Sequence, residues 1–96
     1  MTKYELCLVL NAKLDDEQRN AEIEKAKSFI VRFGGTVIDP IEEWGKKKFA
    51  YEIDHMTEGF YYFIKFEGKN TTPGELENQV RIMENVVRFL IVKQAA

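Results

Sequence analysis

At 96 residues the chain is one domain of below-average size, and folding buries only roughly 60–65% of the surface such a chain exposes. Hydrophobic residues at 45% and charged residues at 31% exclude a disordered or membrane-inserted composition. The formal charge of −2 excludes the basic balance of a free-standing nucleic-acid binder, so any RNA contact has to come from a local patch. One cysteine, Cys7, and one histidine, His55, are too few to ligate zinc, and neither metal nor cofactor is expected. Without paired cysteines, a cationic leader at the start or an apolar run near ~18 residues, the expected location is the cytoplasm, with no membrane contact.

Tyr4 to Leu10 is short and almost wholly apolar, which predicts a central strand covered on both faces. Asp15 follows as a helix N-cap with Gln18 three residues on, a capping-box pair. Ile23, Ala26, Ile30 and Phe33 recur at spacings of three and four and share one helix face, and Gly34-Gly35 ends the helix. Thr36 to Ile53 reads as extended chain. Pro40 makes it an edge strand, and Gly45 marks a bulge. Asp54 to Gly59 is expected to be the hairpin loop.

Phe60 to Phe66 is the next strand, with Phe60, Tyr62, Ile64 and Phe66 on one face and Tyr61, Phe63 and Lys65 on the other. Thr72-Pro73-Gly74-Glu75 opens a second helix with threonine as its cap, and Leu76, Val80 and Met83 form its buried stripe. Val86 to Val92 is the last strand, with Phe89 and Ile91 toward the helices and Arg88 and Leu90 away from them. The order β-α-β-β-α-β, with right-handed crossovers, predicts a single domain over residues 1–96. It is an α+β fold, a ferredoxin-like sandwich: a four-stranded antiparallel sheet with two helices on one face.

The segment Trp44-Gly45-Lys46-Lys47-Lys48-Phe49-Ala50-Tyr51 stands out. Three consecutive lysines span about 7 Å of strand and project to alternate sides. They suit the spacing of phosphates along nucleic acid, or they guard a solvated edge against strand pairing. Trp44 beside that edge suits an interface anchor, and Trp44, Tyr61 and Phe63 belong to a partner surface or to the core. Glu58-Gly59-Phe60-Tyr61-Tyr62 departs from the aromatic octapeptide that stacks RNA bases, and Phe60 and Tyr62 are expected in the core.

Nothing points to catalysis. Glu42 and Glu43 project to opposite faces and do not form an acid–base pair. An acylphosphatase-like enzyme needs arginine and asparagine around a glycine-rich loop after the first strand, and Asn11-Ala12-Lys13 does not match it. A small-molecule-binding regulatory domain of this topology also lacks its glycine-rich loop, so no small-molecule substrate is expected.

Lys3-Tyr4-Glu5, the stretch from Trp44 to Ile53, Glu58-Gly59-Phe60-Tyr61 and the end from Arg81 to Arg88 together resemble the ribosomal protein S-six family of the bacterial small subunit. The pattern W-G-[KR]-[KR]-x-[LF]-A-Y-x-I is the specific part. The resemblance implies a protein that joins the small subunit and pairs with the small-subunit ribosomal protein numbered eighteen. It implies binding to the central domain of small-subunit ribosomal RNA. Lys46, Lys47 and Lys48 would match the family's basic strand, with Arg81 and Arg88 at its basic positions near the last helix and strand. Thr2 departs from the basic residue common there, leaving Lys3 as the N-terminal cation. Lys3, Lys46, Lys47, Lys48 and Arg88 together would neutralise four or five phosphates.

Overall fold

Alternation of large apolar side chains decides the layout. Leu6, Leu8 and Leu10 lie on one side of β1 (Thr2–Asn11), and none is accessible to solvent. Ile64 and Phe66 of β3 (Met56–Gly68) lie on the same side of the sheet. Over this surface pack Ile23, Ala26 and Ile30 of α1 (Asp16–Arg32) and Leu76 and Val80 of α2 (Thr72–Arg81). Strands β2 (Thr36–Ile53) and β4 (Val86–Lys93) complete a four-stranded antiparallel sheet in the order β2-β3-β1-β4. The structure is a computed structural model and describes residues 2–53 and 56–94. Its architecture is the expected ferredoxin-like sandwich, with both helices on one face.

The helix signals behave as the sequence suggests. Gln18 N–H donates to Asp15 Oδ1 at 2.8 Å, and Asp15 N–H donates back to Gln18 Oε1 at 3.0 Å. Gly34 stops α1 at φ +87°, a conformation that a side chain disfavours. In β3, Tyr62, Ile64 and Phe66 are buried and Phe60 is packed against the core, so the expected facing holds. On β4, Phe89 and Ile91 pack on the core while Leu90 is exposed.

Three expectations need correction. β1 is central, but the helices cover only one of its faces. On the other face Cys7 is half-buried, flanked in the ladder by Phe63 and Leu90 rather than by helix. Partial burial, with Glu5 nearby, pushes its thiol pKa up, so it stays a thiol. The hairpin loop is shorter than expected, because Met56 to Gly59 are strand and Ile53 pairs with Met56; Asp54 and His55 lie outside the described residues. Thr71, not Thr72, occupies the N-cap of α2 and makes no side-chain cap bond. The Thr72 hydroxyl is committed elsewhere: it donates to the Phe33 carbonyl at 2.8 Å and accepts from Lys69 N–H at 3.1 Å. That fully buried hydroxyl ties the end of α1 to the start of α2.

Candidate RNA and partner interface

Strand β2 is longer than the length of β3 it pairs with, and the excess sets the site. Between Ile38 and Glu42 four residue steps on β2 oppose two on β3, and between Glu43 and Gly45 two oppose one. Between Lys48 and Ile53 five oppose two. Gly45 closes the middle bulge at φ +77°, where nothing crowds it and only the backbone conformation calls for glycine. Such bulges bend and twist an edge strand and re-aim its side chains.

The three lysines separate as alternation demands. Lys46 stands opposite Phe60, on the helix side, with its ammonium 5.3 Å from the ring centroid. Lys48 stands opposite Glu58 on that side, and Lys47 opposite Gly59 on the open face. Gly59 makes room there. A Cβ on it would lie 2.8 Å from Val9 Cγ1 and 3.0 Å from Phe49 Cζ, so the Phe49 ring rests against β3 only because no side chain intervenes.

The open face carries the aromatic candidates. The Trp44 ring lies 4.6 Å from that of Phe63, and its Nε1–H donates to Glu42 at 3.3 Å. Glu42 in turn sits 3.9 Å from the Lys65 ammonium. Trp44 nevertheless stays 56% exposed, while Phe63 and Tyr61 are half-buried. The Tyr61 ring leans on Phe49 with centroids 6.3 Å apart. A cavity of about 360 Å³ adjoins them, lined by Cys7, Val9, Tyr61, Arg88, Phe89 and Leu90. Trp44, Tyr61 and Phe63 thus share one uncovered surface, and the earlier alternative of a core role does not hold for Trp44.

The cations converge in part. Val9 opposes Arg88 and Asn11 opposes Gly59, which Lys47 faces from β2, so Arg88 and Lys46–Lys48 gather at one end of the sheet. Lys3 is on the open face but six residues back along β1, about 20 Å away. Arg81 ends α2 in the helix layer and is paired with Glu77 at 2.6 Å. Among the described residues, Lys3, Lys46, Lys47, Lys48 and Arg88 form no ion pair. Net charge overall is −2, so this end is locally positive against an acidic remainder.

Two residues escape the sequence reading. Lys13, in the loop after β1, shares a surface cavity with Lys46, Asn11 and Glu58. Arg19 looks like one more surface charge, yet its side chain is 12% exposed. Its guanidinium lies 3.9 Å from the Phe60 ring centroid and donates to Tyr62 Oη at 3.1 Å and the Leu14 carbonyl at 2.8 Å. It also pairs with Asp16. Burial pushes the Tyr62 hydroxyl pKa up, so it remains neutral as it accepts that bond. No local pattern marks this clamp, because Tyr62 is 43 positions away.

No group of carboxylates, cysteines and histidines among the described residues is placed to hold a metal. No described helix is long and apolar enough to cross a membrane.

Comparison with known proteins agrees over nearly the whole chain. The sequence profile of the family Ribosomal protein S6 matches residues 3–93. Small ribosomal subunit protein bS6 of Clostridium botulinum strain 657 is 43% identical over 94 residues, covering 98% of this chain and 99% of the relative. That of Clostridium kluyveri is 44% identical over 93 residues, covering 97% of each. The crystal structure of 30S ribosomal protein S6 from Thermotoga maritima superposes with a TM-score of 0.87 at 30% identity, over 97% of this chain and 87% of that one. With a profile that spans both helices, all four strands and the lysine-bearing edge, the chain belongs to the ribosomal protein S6 family, a family of structural, non-enzymatic proteins of the small ribosomal subunit.

Proposed function

We propose that the chain binds the central domain of small-subunit ribosomal RNA together with the small-subunit protein numbered eighteen. In this reading it works on the ribosome in the cytoplasm. The supporting observation is the set of cations without ion pairs among the described residues, Lys46, Lys47, Lys48 and Arg88, gathered at one end of an otherwise acidic molecule. A lysine already paired to a carboxylate has less to gain from a phosphate, whereas these are free to replace counterions on the RNA. Lys3 extends the contact along the open face. Arg81 has to release Glu77 to take part, which makes it the most costly member of the set.

Trp44, Tyr61 and Phe63 form the docking surface for the partner protein. β2 therefore serves two neighbours: Lys46 and Lys48 project to its helix side, and Trp44 and Lys47 to its open side. Because the net field of the chain opposes RNA, a basic partner that covers part of it should raise RNA affinity. The test is RNA affinity with and without the partner protein at matched salt. Tighter binding with the partner, and a log–log salt slope of several units, is the expected result. Equal affinity in both would overturn the partner-dependent reading.

A further inference from the structure

We propose that the chain also holds one unpaired RNA base, stacked at a pocket between Tyr51, Tyr61 and Arg88. The inference rests on the RNA-binding reading above and adds a contact that phosphate neutralisation does not supply.

The pocket is a product of the excess length of β2. Five residue steps from Lys48 to Ile53 oppose two on β3, so the intervening chain is pushed out from the ladder. Tyr51 sits on this displaced stretch and is 70% exposed, the most open of the aromatic rings on this side. Phe49, lodged in the space that Gly59 leaves, provides the floor beside Tyr61. The resulting cavity of about 150 Å³ is lined by Lys48, Phe49, Ala50, Tyr51, Tyr61 and Arg88.

Its chemistry suits a nucleotide. The exposed Tyr51 ring supplies a flat face for stacking, which any base accepts, and the edge of Tyr61 bounds the pocket where the docking surface begins. Arg88 lies beside them with no carboxylate partner among the described residues, and its guanidinium can stack on a base or bond to its edge. The cavity is too small for a protein helix or strand, and it has no apolar enclosure of the kind small-molecule sites use. Bases within a duplex are stacked on one another, so the ligand is a base from a loop, bulge or junction.

The experiment measures affinity of the chain, in complex with its partner protein, for a central-domain RNA fragment over a range of salt concentrations. Tyr51→Ala is expected to weaken binding about five- to 150-fold, as loss of one stacked base does, with the salt slope unchanged. Tyr51→Phe keeps the ring and should bind within about twofold of the parent. Lys47→Ala, by contrast, should lower the salt slope by about one. Circular dichroism confirms that each variant is folded. Parental RNA affinity for Tyr51→Ala would overturn the base pocket while leaving the RNA-binding reading intact. Equal weakening of the protein–protein pairing without RNA would overturn it in favour of a partner side chain. Failure of the parent chain to bind RNA with its partner would overturn both.

Discussion

Ile30→Ala is expected to destabilise the fold by about 2–5 kcal/mol, measured by urea or thermal unfolding followed by circular dichroism. Ile30 is inaccessible to solvent and sits where α1 meets the first residues after the helix. Gly35 N–H donates to the Ile30 carbonyl at 2.8 Å, and a Cβ on Gly35 would come within 2.8 Å of Ile30 Cγ2. Backbone packed that closely has little room to collapse into the space a truncation leaves, which favours the upper part of the range. Domains hold only about 5–15 kcal/mol in total, so a chain this short would be left marginal. The cations proposed to contact RNA are remote from the cavity, and the molecules that remain folded should bind as before. A loss below about 1 kcal/mol would mean that this junction is looser than its geometry implies.

The double substitution Lys46→Glu with Lys47→Glu should do the reverse. It changes the charge of one strand segment by four units. At about 1 kcal/mol for each unit charge at contact distance in water, RNA-complex assembly should weaken roughly a thousandfold at low salt. The salt slope should fall by about two, one for each phosphate contact removed. Stability should fall little: both side chains are exposed, and the contact of Lys46 with Phe60 is worth about 0.5–1 kcal/mol. The single variants separate the two sides of β2. Lys46→Glu should impair RNA binding alone, while Lys47→Glu, on the face that carries Trp44, should also affect partner docking. Unchanged assembly by filter binding or gradient co-migration would refute the assignment of this segment to RNA.

Local signals in the sequence account for much of this structure. The Asp15–Gln18 capping pair, the glycine after α1 and the alternation from Phe60 to Phe66 each depend on near neighbours, and each is found as read. The faces of Lys46, Lys47 and Lys48 follow from the period of a strand in the same way. What stayed hidden depends on distant partners. The long apolar run of β1 looks like a strand sandwiched between layers, yet its second face is open, flanked only by side chains of its own sheet. Thr72 looks like a cap until the Phe33 carbonyl, 39 positions back, claims its hydroxyl. Arg19 is legible only once Phe60 and Tyr62 are overhead. The displacement of Tyr51 comes from a register difference between two strands, which neither segment encodes by itself.

The position of Trp44 has a practical consequence. It is the single tryptophan of the chain, lies on the open face against Phe63 and is half in water. Its ultraviolet emission therefore reports on the open face, the proposed docking surface, more than on the core. Unfolding moves an already hydrated indole only a little further into solvent, whereas a protein docked on this face, as proposed, would shield it from water. An unlabelled sample thus carries its own reporter of assembly, readable in a cuvette as a shift toward the blue.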